Sequence, residues 1–157
     1  MTLSDKTIEI AREQVGVTEH PPGSNRGPEV DRYLRSAGLD PAKGAYPWCA
    51  ALVSWCVLEA TKAVGGPPQF RGSAGALRLV ELNGNLRLVG PIPGCVFVMD
   101  HGAGKGHAGF VLSIDEEDPD LLHTLEGNTD AAGSRTGGQC MIRTRRRDEI
   151  HAYLRVA

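Results

Sequence analysis

The first half of the chain places its hydrophobic residues at the three- and four-residue spacing of amphipathic helices. Residues 5–15 form the first predicted helix, with Ser4 as its N-cap. The face expected to be buried consists of Ile8, Ala11 and Val15. Pro28 begins the second predicted helix, since proline suits the first helical turn. The buried face of this helix is expected to consist of Val30, Tyr33, Leu34 and Ala37.

The third predicted helix, residues 49–64, has the sequence CAALVSWCVLEATKAV and is apolar on most sides. A helix of this kind is expected to be central and buried. The segments before it, 16–27 and 39–47, are predicted to be loops because they are rich in Gly and Pro. A short fourth helix is predicted from a cap at Ser73 to Leu82.

After residue 85 the pattern changes to short runs rich in β-branched and aromatic residues. Five strands are predicted, with the sequences CVFVMD, GHAGFVLSI, LLHTLEG, QCMIRTR and IHAYLRV. Helices followed by strands are typical of an α+β domain whose antiparallel sheet packs on the helices. We expect one such domain over residues 1–157, because a chain of this length builds one hydrophobic core.

Composition and charge exclude several classes of protein. The formal net charge is -2, whereas nucleic-acid-binding proteins usually carry a strong basic surplus. The N-terminal residues lack the basic start and apolar run of a secretory signal, so we expect synthesis in the cytoplasm. No stretch has the apolar length of a membrane-spanning helix, and we expect no membrane insertion. The four cysteines form no CxxC pair, which favours reduced thiols.

Cys49 is the first candidate for chemistry, because it lies at the predicted start of the third helix. Free backbone N–H groups and the positive end of the helix dipole stabilise a thiolate there, and the thiolate is the nucleophilic form of cysteine. The other three cysteines lie in the middle of a helix or in strands, where a small buried hydrophobic residue is the expected role. They are Cys56, Cys95 and Cys140.

A thiolate nucleophile requires a base, and His107 is the leading candidate among five histidines. It opens a predicted strand directly after the glycine-rich turn GAGKG, where a substrate can approach, and His101 is the second choice. Glu126 and Asn128 end the next strand, and residues two apart in a strand face the same side. Either side chain can orient the imidazole, as the third member of a catalytic triad does.

Three motifs, in this order, resemble those of the CHAP family (cysteine, histidine-dependent amidohydrolase/peptidase) and, more distantly, of the NlpC-like peptidases. PWCAALVSWC resembles the nucleophile motif, GHAGFVLSID the histidine strand and TLEGNT the third-residue strand. The upstream segment EIAREQVGVTEHPPGSNRGPEVDRYLRSAGL resembles the leader of one bacterial and phage branch. The resemblance implies a papain-like (NlpC-like) fold with Cys49 as nucleophile and His107 as general base and acid. It also implies that Glu126 orients the imidazole and that Asn128 is an auxiliary polar residue.

The resemblance further implies that the substrate is bacterial peptidoglycan, cut within its peptides or at the bond from muramic acid to L-alanine. Tyr46 and Trp48, beside the nucleophile, are expected to contact substrate. We expect a monomeric phage lysin or antibacterial effector that acts on the cell wall, in the periplasm or outside the cell, after release or delivery. An effector would also have an immunity or inhibitor protein as partner. Two alternatives are a catalytically inactive wall-binding module and an amidase for a small thiol or polyamine conjugate.

No cofactor and no metal are expected. Some CHAP proteins bind calcium through an acidic loop before the nucleophile, but Asp40 is the single acidic residue of that loop here. A zinc site would have to use Cys95, His101, His107 and Cys140, which have no recognised ligand spacing. GAGKGH lacks the spacing of a phosphate-binding loop, and the basic run at 143–147 is expected to be a solvated strand edge. The family's usual Gly-Asp before the first long strand is replaced by Gly-Cys at 94–95.

Overall fold

The computed structural model describes residues 1–129 and 137–157, and within them the chain forms four α-helices and six β-strands. The helices are α1 (Leu3–Glu13), α2 (Pro28–Ser36), α3 (Cys49–Val64) and α4 (Ala76–Leu82). The strands are β1 (Arg87–Leu88), β2 (Val96–Gly102), β3 (Lys105–Ile114), β4 (Leu121–Thr129), β5 (Gln139–Arg146) and β6 (Ala152–Leu154). The predicted α+β, papain-like architecture of N-terminal helices on a C-terminal antiparallel sheet is confirmed.

The strands form one sheet in the order β1-β6-β2-β3-β4-β5, and the paired neighbours run antiparallel. Helix α3 contacts α1 and α2 on one side and β3 and β4 on the other, so it is the central element of the core. Its residues from Cys49 to Val57 are all buried, as its apolar sequence predicts. No helix of the described residues is long and apolar enough to cross a membrane.

The two faces of the sheet separate the apolar side chains into two clusters. The larger cluster, under the helices, includes Val96, Val98, Ala108, Phe110 and Leu125. Positions that alternate with these form the second cluster, which includes Phe97, Met99, Val111 and Leu122. This alternation is the side-chain pattern of a pleated strand, and a register shift of one residue would exchange the two sets of side chains between the faces.

The start of α1 differs from the prediction. Thr2 is the N-cap, since its Oγ1 accepts a hydrogen bond from the N–H of Asp5, whose carboxylate accepts one from Thr2 in return. Ser4 lies inside the helix, where it donates a hydrogen bond to the carbonyl of Gly94. Val15 lies beyond the helix end and is 40% exposed, so its predicted place on the buried face is wrong.

Two features of the middle of the chain also differ from the prediction. Helix α4 begins at Ala76 with Gly75 as its N-cap, not Ser73. Ser73 instead joins the preceding loop to α3, because the Ser54 hydroxyl donates to its carbonyl and accepts from its N–H, both at 2.9 Å. The short strand β1 was not predicted, since two residues are too few to show a period.

The end of β4 is irregular at the point where α3 approaches it. The register between β4 and β5 shifts between Glu126 and Thr129, and Asn128 has a φ of 54°. A Cβ on Gly127 would lie 2.6 Å from the side chain of Leu52 and 2.7 Å from the ring of Trp48. Glycine is therefore required for α3 to begin this close to the sheet. The expected regular alternation from residue 126 to residue 128 is wrong, because the left-handed backbone of Asn128 interrupts it.

Candidate active site

Cys49 is the first residue of α3, with Trp48 as the N-cap, so the predicted thiol at a helix start is present. It is almost fully buried, with 4% exposed. Burial raises the pKa of this thiol, but the charge and hydrogen bonding of His107 and the backbone N–H groups of Ala108 and Ala50 lower it. The net effect is a pKa below the ordinary value for cysteine, which favours the reactive thiolate.

His107 lies in β3, three residues after the positive-φ turn at 102–104. Its Nε2 lies 2.7 Å from Oε1 of Glu126, and both side chains are buried. A carboxylate can only accept, so Nε2 carries the proton of this hydrogen bond. Nδ1 makes no hydrogen bond of regular geometry within the described residues, and it is the ring nitrogen that remains for Cys49.

Cys49 and His107 are coupled through their charges. Burial lowers the pKa of His107, but the Cys49 thiolate and then the Glu126 carboxylate raise it to about 9. The imidazole thus holds its proton at neutral pH while the neighbouring thiol, with its lowered pKa, gives one up. A thiolate–imidazolium pair is the form expected in this environment.

Glu126 is the centre of the buried charges behind the imidazole. Besides His107, its carboxylate accepts a hydrogen bond from Thr124 Oγ1 at 2.7 Å and two from Arg145, from Nε at 2.8 Å and Nη2 at 2.5 Å. Burial raises its pKa, but Arg145 and then His107 reverse this and lower it to about 2. Glu126 is therefore ionised throughout the neutral range.

Arg145 is a member of this group that the sequence did not identify. It belongs to β5, which is an edge strand as predicted for the basic run at 143–147. The expectation of a solvated edge is wrong at this residue, however, because its side chain is 8% exposed and ion-paired with Glu126. One feature of the sequence does point to such a residue: Glu126 is a carboxylate in a predicted buried strand. A buried carboxylate requires a cation nearby.

Asn128 and the two aromatic candidates occupy different surroundings. Asn128 is fully buried at the irregular end of β4, and it is Glu126, through Oε1, that accepts the hydrogen bond from Nε2 of His107. Tyr46 is half-buried on the segment that leads to the nucleophile. Trp48 is fully buried, and its contact with substrate stays a prediction. Its indole N–H donates to Oε1 of Glu19 at 3.0 Å, so its ring holds the helix start in place.

Glu19 is a second buried residue near the site that the sequence did not identify. It lies in the loop between α1 and α2, is 3% exposed, and its backbone N–H donates to the carbonyl of Gly138. The side chain thus ties the leader segment to the residue before the nucleophile. A single glutamate in a polar loop has no periodic pattern that would indicate burial.

The remaining cysteines and the second-choice histidine lie in surroundings that do not favour chemistry. Cys56, Cys95 and Cys140 are free and buried, and burial raises the pKa of each thiol: well above the ordinary value for Cys56, to about 11 for Cys95 and to about 12 for Cys140. His101 is exposed on β2. Cys49 is thus the cysteine whose pKa moves toward the thiolate.

The described residues, 1–129 and 137–157, contain no group of three or more His, Cys, Asp or Glu side chains arranged to hold a metal ion. Asp40 has a local structural role, since its Oδ1 accepts the N–H of Ala42 and caps a short turn. The absence of a metal or cofactor stays a prediction.

The family model for the CHAP domain matches residues 41–128, which is more than half of the chain. The matched segment contains Cys49, His107, Glu126 and Asn128, whereas Glu19 and Arg145 lie outside it. No curated protein matches the chain with significant similarity. The chain therefore belongs to the CHAP family of cysteine- and histidine-dependent amidohydrolases and peptidases.

Proposed function

We propose that this protein is a peptidoglycan hydrolase that cleaves an amide bond of the bacterial cell wall with Cys49 as nucleophile. The observation that carries the proposal is the thiol of Cys49 at a helix start, coupled to an imidazole whose other nitrogen is bonded to a buried carboxylate. This is the arrangement of nucleophile, base and orienting group that acyl transfer requires.

In the first half of the reaction, the thiolate of Cys49 attacks the carbonyl carbon of the amide. The negative charge that develops on the carbonyl oxygen is stabilised by the backbone N–H of Cys49 at the first position of α3, where helix donors have no intrahelical partner. The imidazolium of His107 then gives its Nδ1 proton to the leaving nitrogen. The C–N bond breaks, the amine leaves, and a thioester on Cys49 and a neutral imidazole remain.

In the second half, the neutral imidazole takes a proton from water, and the hydroxide attacks the thioester. The C–S bond breaks to give the carboxylic acid and the thiolate of Cys49, and His107 is again the imidazolium. The hydrogen bond from Nε2–H to Glu126 holds the same tautomer in both halves, so that Nδ1 always faces the reacting atoms.

The burial of the site supports a slender substrate. Cys49 is 4% exposed, and the catalytic imidazole behind it is buried. An extended peptide is thin enough to bring one carbonyl to a thiol that is this buried, whereas a glycan strand is wider. This supports cleavage in or next to the peptide part of peptidoglycan, for a lysin or an antibacterial effector that reaches the wall from outside or through the periplasm.

The experiment is digestion of purified cell-wall sacculi, followed by mass spectrometry of the released muropeptides. The wild-type protein should release fragments with one new amine and one new carboxylate, and the masses identify the bond. Cys49→Ala and Cys49→Ser should release none while keeping the wild-type circular dichroism.

Cys56→Ala is the matched control, because it removes a buried thiol from the same helix without touching the site. It should retain cleavage and lose about 1–3 kcal/mol of unfolding free energy as a small core truncation. Cleavage by Cys49→Ala at the wild-type rate would refute the thiol mechanism. If the wild-type protein leaves sacculi intact but Cys49 is selectively alkylated, the thiol is reactive and the substrate is a different amide.

A further inference from the structure

We infer that Arg145 is a positioning residue of the active site: it is the permanent counter-ion of Glu126, and it keeps that carboxylate ionised and oriented when His107 is neutral. This inference rests on the proposed thiol mechanism and adds to it a residue outside the segment that matches the CHAP family model.

Arg145 and Glu126 form a buried ion pair with two hydrogen bonds. Nε and Nη2 of Arg145 donate to the two different carboxylate oxygens of Glu126, at 2.8 and 2.5 Å. Glu126 is fully buried and the Arg145 side chain is 8% exposed, so water screens their attraction little. Two parallel hydrogen bonds from a planar guanidinium fix the plane of the carboxylate, and therefore the direction in which Oε1 meets His107.

The number of charges in the site changes during the proposed reaction, and this is the reason for a second cation. Before attack, the site contains four charges of alternating sign: the thiolate, the imidazolium, the carboxylate and the guanidinium. After the amine leaves, His107 has lost its proton, and without Arg145 the carboxylate of Glu126 would be a buried, unpaired charge. Burial of an unpaired charge costs free energy, so the loss of the proton from His107 would be unfavourable. The neutral imidazole is nevertheless the form that must activate water. Arg145 removes this obstacle because its charge does not titrate.

Arg145 also limits how strongly Glu126 holds the imidazolium. A carboxylate shared with a guanidinium exerts a weaker net attraction on His107 than one that has the imidazole as its sole counter-ion. Loss of the guanidinium makes the potential at the site more negative. The thiolate of Cys49 should then form at a higher pH, and His107 should keep its proton to a higher pH.

The test compares wild type with Arg145→Met, Arg145→Lys and Arg146→Met. The rate at which iodoacetamide alkylates Cys49 is measured as a function of pH, which requires no wall substrate. Arg146→Met is the matched control, since the neighbouring arginine is 54% exposed and pairs with exposed Asp118 at 3.6 Å. Arg145→Met should move the midpoint of thiolate formation up by about one pH unit. Arg145→Lys should move it by less, and the control should leave it in place.

A second measurement follows the thioester by intact-protein mass spectrometry during digestion of sacculi. Arg145→Met should accumulate a covalent adduct on Cys49 that wild type does not, because activation of water becomes slow. If Arg145→Met shifts the pH midpoint of Cys49 alkylation but the wild-type protein does not cleave sacculi, the inference is supported and the proposed function is refuted. An Arg145→Met variant that melts earlier but keeps the wild-type pH midpoint would show a purely structural role. If the methionine variant does not fold, Arg145→Gln takes its place, and an unchanged midpoint in that neutral variant overturns the inference.

Discussion

Replacement of Glu126 by glutamine changes one charge in the centre of the site and leaves its shape. The amide oxygen can still accept from His107 or Arg145, but the buried guanidinium of Arg145 loses the carboxylate with which it is ion-paired. Two unit charges roughly 4 Å apart attract by about 4 kcal/mol at an effective dielectric of about 20. Measured losses on breaking a buried pair are about 3–5 kcal/mol, and we expect Glu126→Gln to fall in this range.

The same substitution should lower the pKa of His107. That pKa is about 9 because the thiolate and then the carboxylate outweigh the effect of burial. Removal of the carboxylate should lower it by about 1–3, the usual effect of one close opposite charge. The imidazolium is then lost at a lower pH, and the basic limb of the pH–rate profile should move down with it.

Urea unfolding and ¹⁵N NMR titration of the imidazole measure these two quantities separately. The double variant Glu126→Gln/Arg145→Met should recover part of the lost stability, because it removes the buried cation together with the carboxylate that pairs with it. Asp31→Asn is the control, since it breaks the more exposed Arg26–Asp31 pair, joined at 2.9 Å, and should cost less than about 1 kcal/mol. A Glu126→Gln protein as stable as this control, with the His107 pKa still near 9, would refute the account of the charged site.

Three further outcomes are expected. Glu126, with its pKa lowered from 4.5 to about 2, contributes stability that is present above pH 4.5 and is lost as the pH falls toward 2. Urea titrations should show wild type losing about 3 kcal/mol more than Glu126→Gln over that interval. Gly109→Ala should cost about 1–3 kcal/mol in the same assay, since overpacking strains a core. Its Cβ would lie 2.7 Å from the Phe97 ring, whereas the control Gly84→Ala meets nothing within 4 Å. Activity on sacculi should survive EDTA and fail after thiol alkylation, and restoration of a lost activity by added calcium would contradict this.

The parts of the site that could be predicted are those with a local signature. Cys49 was found because a helix start has free N–H groups, and the apolar run after it defines the helix. His107 and Glu126 were found because each lies at the end of a strand that the β-branched and aromatic residues predict. The structure brings these three side chains together in one buried group.

The parts that could not be predicted depend on which strands pair and in which register. The run at 143–147 contains four arginines, and the hydrogen bonds of the folded protein show that Arg145 is the one that pairs with Glu126. The N-cap of α1 was misplaced by two residues because both Thr2 and Ser4 have capping side chains, and the contact of Ser4 with Gly94 is 90 residues away in sequence. The left-handed Asn128 arises where β4 meets α3, which no local pattern of the strand indicates.

Arg145 is synthesised after Cys49, His107 and Glu126, and this order has a consequence for folding on the ribosome. A nascent chain that has already released Cys49, His107 and Glu126 from the ribosome still lacks the counter-ion that the buried carboxylate needs. In the same strand, the carbonyl of Cys140 accepts a hydrogen bond from the N–H of Gly16. This hydrogen bond anchors the end of α1. Translation products that stop before β5 are therefore expected to carry a Cys49 thiol that is less reactive than that of the folded domain, because they lack the counter-ion of Glu126.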